Sequence, residues 1–164
     1  MKKVYDTINQ YCVEHDLLMN GDGIVIGLSG GVDSVCLLQV LAALRNEWQL
    51  RLVCVHVHHG IRGTAADEDA AFAQRLAAKY NISFRLYEMD IPQLAKEQGL
   101  SEEEAGRNYR YRCFEEVRKE LNFDKIAVAH HRDDQAETVL WQILRGSGLR
   151  GVCGMRAGRA NIIR

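Results

Sequence analysis

The sequence predicts an α/β fold of the doubly wound kind, a parallel sheet with helices on both faces. Three observations carry that prediction. Four short segments, 24–28 (IVIGL), 51–57 (RLVCVHV), 82–88 (ISFRLYE) and 125–129 (KIAVA), are β-rich and nearly continuous in apolar residues, as strands covered on both faces are. Helical patterns alternate with them, and the chain holds a single proline, Pro92. Polar residues cluster directly after strands: SGGVDS after the first, HHGIRG after the second and HHRDD after the fourth. In open α/β sheets ligands bind beyond the carboxyl ends of the strands, so those clusters are where chemistry is expected.

Taken in order, residues 2–18 read as an amphipathic helix on the outside of the domain, with Val4, Ile8, Tyr11 and Cys12 on one face. NGDG (20–23) then breaks the chain. Residues 34–46 are apolar almost all round, which predicts a central, buried helix. A helix over 65–80 carries Phe72, Ala73, Leu76, Ala77 and Tyr80 on one face, and Thr64 with Asp67 has the spacing of a capping box. A second such box, Ser101 with Glu104, opens a helix to about Leu121. Asp133 is placed to cap another, running to about Arg145, where Gly146 can stop it. The closing NIIR reads as the beginning of a further strand, so the domain is expected to be incomplete at its C-terminal end.

At 164 residues, 47% hydrophobic and 26% charged with a net charge of -1, the composition is that of one ordinary globular domain. No run of 18 apolar residues is present, which excludes a transmembrane helix from the prediction. Asp6, Asn9, Gln10 and Glu14 interrupt any apolar core in the first segment, so no signal peptide is expected. The five cysteines form no CxxC pair and are odd in number; Cys36 and Cys54 sit in apolar runs, where buried free thiols are expected. These features predict a cytoplasmic setting. After Glu137 no acidic residue follows, but Arg145, Arg150, Arg156, Arg159 and Arg164 do. Such a tail suits an anionic partner, a phosphate or a nucleic acid, and is equally consistent with a solvated surface.

The segment IVIGLSGGVDSVCLL (24–38) admits two readings. Gly27-Leu28-Ser29-Gly30-Gly31 fits G-x-S-x-G, the nucleophile elbow of α/β-hydrolases, with Ser29 as nucleophile. That reading fails on order, because no histidine follows His131 to serve after Asp133 or Asp134, and no earlier strand-loop exists to donate to an oxyanion. The second reading is a phosphate loop. Glycines let backbone N–H groups approach an anion at a helix N-terminus, and Ser29 and Ser34 add hydroxyl donors. No Gly-Lys-Ser/Thr is present, so the loop is not of the Walker type. Asp33 repels phosphate unless a cation lies between, which points to nucleotide-bound Mg²⁺.

SGGVDS, spanning Ser29, Gly30, Gly31, Val32, Asp33 and Ser34, resembles the PP-loop of N-type ATP pyrophosphatases. That family cleaves ATP between its α- and β-phosphates, adenylates a substrate oxygen and lets a nucleophile displace AMP. HVHHGIRG (56–63), GRNYRY (106–111) and AHHRDDQAETVLWQILRGSGLRGVCGM (129–155) are similar in order and spacing to tRNA(Ile)-lysidine synthases, with Gly106 where that family usually has alanine. The resemblance implies ATP, Mg²⁺, lysine and an isoleucine tRNA as ligands, with the lysine ε-amine attacking an adenylated wobble cytidine. With the amphipathic helix taken as an N-terminal unit over 1–20, the resemblance implies a PP-loop ATP-binding domain over 21–164, with more of the domain and tRNA-binding regions beyond. The tRNA 2-thiocytidine enzymes share the loop and the HHxDDxxET pattern, but need paired cysteines that are absent as CxxC. A non-catalytic nucleotide-binding α/β module would need the loop without HHRDDQAET or the arginine pair.

Arg107 and Arg110 lie three apart on one helix face, with Glu103 a turn before. They suit a phosphate clamp or the orientation of an activated base; a surface ion-pair face is the plainer reading. Asp134 and Glu137 share a helix face and suit the lysine ammonium or Mg²⁺, with His131 beside them and Asp133 available as a helix cap. A zinc site at His130 and His131 is disfavoured, since adjacent histidines usually point apart and the spaced histidines or cysteines such a site needs are absent. His58 and His59 follow the second strand, near the expected adenine or ribose, where loop structure explains them equally well. Trp141 and Met155 read as core.

Overall fold

The computed structural model describes residues 2–58, 60, 64–129, 158, 159 and 161–163, with backbone alone at 2–5, 64, 65, 158 and 159. Eleven elements follow one another among them. They are α1 (Lys2–Glu14), β1 (Gly23–Gly27), α2 (Val32–Leu44), β2 (Arg51–His58), α3 (Thr64–Lys79) and β3 (Ser83–Glu88). After these come α4 (Ile91–Gln98), α5 (Glu102–Glu120), β4 (Lys125–Val128), β5 (Gly158–Arg159) and β6 (Ile162–Ile163). The strands form one sheet in the order β3-β2-β1-β4-β6-β5. The first five in that order run parallel, in keeping with the predicted doubly wound α/β class. Two-residue β5 pairs antiparallel to β6 and was not foreseen.

Alternation along the strands divides the interior in two, since successive strand side chains point to opposite faces. Ile24, Ile26, Leu52, Cys54 and Ala127 meet Cys12, Leu38, Leu41, Leu44, Ala73 and Ala77 on the face of α1, α2 and α3. Val25, Val53, Val55, Val57, Ile126 and Val128 meet Ile91, Ala95, Tyr109, Cys113, Phe114 and Val117 on the face of α4 and α5. The chain turns from β1 outward to β2 and β3, then returns to place β4 on the other side of β1. The switch point between β1 and β4 is where a doubly wound sheet opens a crevice.

Several expectations need correction. Helix α1 ends at Glu14, and buried Leu17 and Leu18 belong to the connection after it. Helix α2 is not enclosed all round: Ser34, Leu38, Leu41 and Leu44 form one buried stripe, while Val32 and Cys36 are exposed. Hydropathy alone cannot say which faces of a helix are covered. Thr64 is the first residue of α3 rather than its cap, and Phe72 is exposed although Ala73 and Ala77 are fully buried. Helix α4 was missed, although Asp90 caps it by accepting from Gln93 N, Pro92 sits in its first turn and left-handed Gly99 ends it. The Ser101 cap of α5 is as expected, its Oγ accepting from Glu104 N at 3.2 Å. The expected strand in NIIR is β6, parallel to β4 and tied back by Asn161 Nδ2 to Glu115 Oε2 at 3.0 Å. Among the described residues no helix is long and apolar enough to cross a membrane.

Candidate active site

The phosphate-loop candidate begins where β1 ends. Leu28 N donates to Val55 O at 2.9 Å, extending the ladder by one residue. Its carbonyl accepts from His56 Nδ1 at 2.7 Å, so both backbone groups ahead of Ser29 are held by β2. This hydrogen bond puts the proton of a neutral His56 on Nδ1. Burial lowers the His56 pKa, against the opposing pull of the Leu28 carbonyl and of Asp69, and His58 lowers it further. The loop then bends through Gly30 at φ +93°, a left-handed backbone that favours glycine.

Beyond that bend the loop closes on itself. Ser29 Oγ donates to Ser34 Oγ at 3.1 Å, and Ser34 Oγ donates to the Gly31 carbonyl at 2.8 Å. Gly31 is the N-cap of α2 and no side chain caps that helix end. The first-turn N–H groups are thereby left to an incoming acceptor, with the helix dipole behind them.

A cavity of about 420 Å³ lies over the strand ends at the switch point. Its floor is Gly27, Leu28, Val55 to His58, Val128 and Ala129; its walls include Ser29, Gly31, Asp33 and Ser34 on one side and Arg107, Arg110, Tyr111 and Phe114 on the other. The volume falls within the roughly 300–1,000 Å³ usual for small-molecule sites. Helix α5 presents 107, 110, 111 and 114 on a single face, the i, i+3, i+4, i+7 pattern. Neither Arg107 nor Arg110 forms an ion pair among the described residues, which removes the surface ion-pair reading with Glu103. The Arg107 guanidinium instead lies 5.6 Å from the centre of the Tyr111 ring.

Of the sequence-predicted residues, Ser29, Gly31, Asp33, Ser34, His58, Arg107 and Arg110 converge on this cavity. Gly30 shapes the loop without lining the cavity, and the Val32 side chain is 84% exposed, so only its backbone can serve a ligand. His58 accepts from Gly60 N at Nδ1 (3.1 Å) and brings Nε2 to 3.3 Å from Asp67 Oδ1, without hydrogen-bond alignment. His59, His130, His131, Asp133, Asp134 and Glu137 lie outside the described residues, as do Trp141, Met155 and the tail arginines except the backbone of Arg159. Three residues were missed: His56, Asp69 and Tyr111. Tyr111 was legible in principle, standing four after Arg107 on the same helix face; the other two needed the packing of α3 on β2.

The cavity suits a nucleotide carrying Mg²⁺. That ion takes one or two carboxylates along with phosphate oxygens, and Asp33 and Asp69 both face the cavity beside the loop.

Fold and site define a PP-loop protein: the PP-loop domain family matches residues 2–164, and the chain belongs to it. Within that class it is similar to the tRNA(Ile)-lysidine synthase of Caldanaerobacter subterraneus subsp. tengcongensis, 49% identical over 164 residues, covering 100% of this chain and 34% of that protein. The tRNA(Ile)-lysidine synthase of Clostridium tetani is 42% identical over 159 residues, covering 97% and 33%. The chain thus spans about a third of the length of these relatives. Two solved structures share the fold. The U34-tRNA thiolase NcsA from Methanococcus maripaludis, with its [4Fe-4S] cluster, has a TM-score of 0.71 at 23% identity, over 91% of this chain and 52% of that one. The NH3-dependent NAD synthetase from Campylobacter jejuni has a TM-score of 0.60 at 18% identity, over 90% and 60%.

Proposed function

We propose that this chain is the ATP-cleaving part of a tRNA-modifying ligase of the tRNA(Ile)-lysidine synthase type. The observation that carries the reading is one cavity with a self-closed phosphate loop on one wall and, on the other, two cations that pair with no carboxylate among the described residues. The backbone around Ser29, Gly30, Gly31 and Val32, with the Ser34 hydroxyl, holds the β- and γ-phosphates. Arg107 and Arg110 draw the α-phosphate toward the attacking base oxygen and neutralise the charge that grows there. That oxygen forms a bond to the α-phosphorus, pyrophosphate leaves, and the lysine ε-amine then displaces AMP from the base.

Bound Mg²⁺ would supply charge neutralisation between the phosphates and Asp33. His58 borders the nucleoside end. His131, Asp134 and Glu137 are assigned to lysine on sequence grounds, and the arginine-rich segment 145–164 to the anionic backbone of tRNA. A cytoplasmic site of action follows from a tRNA substrate.

Incubation with ATP, Mg²⁺, lysine and an isoleucine tRNA, followed by chromatography of the nucleotides, tests the bond choice. AMP and pyrophosphate are expected; ADP as the product would overturn the assignment, because no lysine stands in the loop to serve a γ-phosphoryl transfer.

A further inference from the structure

The two walls of the cavity are anchored at consecutive residues of β1. Leu28 ties the phosphate loop to β2 through Val55 O and His56 Nδ1. Gly27, one residue earlier, lies against α5. By strand alternation position 27 faces the same side as Val25, whose side chain belongs to the core under α4 and α5. An apolar side chain is the ordinary occupant of such a position. Nor does the backbone require a glycine, since Gly27 lacks the positive φ of Gly21, Gly30, Gly60 and Gly99.

Space requires it instead. A Cβ at position 27 would stand 2.8 Å from Phe114 Cζ, 3.1 Å from Phe114 Cε2 and 3.3 Å from Val128 Cγ1. Carbons rest at roughly 3.5–4.0 Å, so the tip of the Phe114 ring occupies the place of the missing side chain. That ring has little room to yield. It is 5% exposed, and the Tyr111 ring meets it edge-on at 6.0 Å with planes at 73°. Strand β1 cannot give way either, being paired with β2 on one side and β4 on the other. What can move is α5. Phe114 ends the row 107, 110, 111 and 114 that α5 turns to the cavity, with Arg107 about two turns and Arg110 about one turn before it.

We infer that Gly27 and Phe114 together set the width of the cavity: the ring seated on the bare glycine holds Arg107 and Arg110 at the distance from the phosphate loop that a bound nucleotide spans. The inference rests on the ATP reading above. Both are positioning residues, acting on the nucleotide through the helix that carries the arginines.

Two opposite substitutions test it. Gly27→Ala overfills the notch and pushes α5 outward; Phe114→Leu withdraws the ring tip and lets the helix sink. Calorimetric titration with ATP and Mg²⁺, below the melting transition of every variant, should show each single variant weakened roughly tenfold. In Gly27→Ala/Phe114→Leu the added methyl fills space that the ring vacates, so the double variant should bind ATP more tightly than either single one. Inorganic pyrophosphate with Mg²⁺, which the ATP reading seats on the loop alone, should bind wild type and variants alike.

A double variant that binds ATP no more tightly than the single ones overturns the inference, since independent sites do not compensate. So does wild-type ATP affinity in either single variant, whatever its melting temperature, which would leave the contact a matter of core packing. Equal losses for ATP and pyrophosphate would place the damage in the loop rather than in the spacing of the walls, and overturn it too. Should Gly27→Ala fail to fold, the double variant must still bind ATP more tightly than Phe114→Leu. A wild-type chain that binds no ATP sinks the nucleotide reading and this inference together, whereas ATP binding that ignores both substitutions sinks the inference alone.

Discussion

The two ends of the central sheet are built on opposite principles. At the amino ends of β1 and β4, Lys125 Nζ donates to Asp22 Oδ2 at 2.7 Å and to the Leu17 carbonyl at 2.9 Å, while Asp22 accepts from Met19 N. Next to them Asp124 accepts from Gly23 N at 2.7 Å and pairs with Arg51 at 3.4 Å, and the Arg51 guanidinium lies over the Phe123 ring. At the carboxyl ends Arg107 and Arg110 of α5 make no ion pair among the described residues, His58 Nε2 has only the unaligned Asp67 carboxylate 3.3 Å away, and the helix after the phosphate loop starts with no side-chain cap. One end spends its polar groups on holding the fold together. The other keeps them available for a ligand. Substitutions at the first should therefore change stability with little effect on chemistry, and substitutions at the second should do the reverse.

The largest stability effect is expected from Lys125→Met. Lys125 and Asp22 have side chains only 16% and 8% exposed, so removing the cation leaves a carboxylate enclosed with one backbone donor. Breaking such a pair costs about 3–5 kcal/mol, which for a chain of this size lowers the melting temperature by roughly 6–20 °C. Adding Asp22→Asn should recover part of the loss, since the penalty resides in the stranded charge. ATP affinity, measured well below the lowered transition, should match the wild type. A melting temperature within 1 °C or so of wild type would show that the amino end is not the anchor described.

Asp33→Asn is the complementary test. Its side chain is exposed in the first turn of α2 and faces the cavity, and its helix-dipole contribution to the fold is about 0.3–1 kcal/mol. Pyrophosphate release should fall on the order of a hundredfold or more, the usual result of removing one electrostatic group from a transition state. Turnover equal to wild type would exclude Asp33 from the reaction and break the division between the two ends.

That division was only half visible in the sequence. The strands that flank the cavity were legible because each is an unbroken apolar run, and the phosphate loop because a Gly-Gly pair between strand and helix has few other uses. The Ser101 cap was legible because it is local, bonding three residues away. The anchor was not, because Asp22 and Lys125 stand 103 residues apart and each looks like an ordinary surface charge. Helix α4 escaped because eight residues offer too short a pattern, although Asp90, Pro92 and Gly99 mark both of its ends. Cys36 and Phe72 were misjudged for a shared reason: an apolar side chain on a helix is buried only if another element covers it. Cys54 came out as expected because both faces of its strand are covered, and burial pushes its thiol up to about 12.

The smallest effect sharpens the comparison most, because His56 belongs to both kinds of residue. It lies at the carboxyl end of β2 and lines the cavity, yet its Nδ1–H is committed to the Leu28 carbonyl at 2.7 Å, so its task is to hold the loop. Burial lowers its pKa, and of its charged or titratable neighbours Asp69 on α3 opposes the shift while His58 on β2 adds to it. A histidine of lowered folded-state pKa binds its proton more readily once unfolded, so protonation favours the unfolded chain. Its stability contribution is thus fully present above the ordinary histidine value near 6.5 and is lost as pH falls through the lower folded value. His56→Asn retains an N–H donor for Leu28 and cannot titrate. Melting temperatures measured from neutral pH downward should therefore start close together for the two proteins, then diverge, with the wild type falling more steeply below about 6.5. Parallel curves would assign the acid sensitivity to other groups and leave His56 as one more satisfied buried side chain. A variant already destabilised at neutral pH would mean that the imidazole ring itself, stacked 6.5 Å from Phe84, matters more than its hydrogen bond.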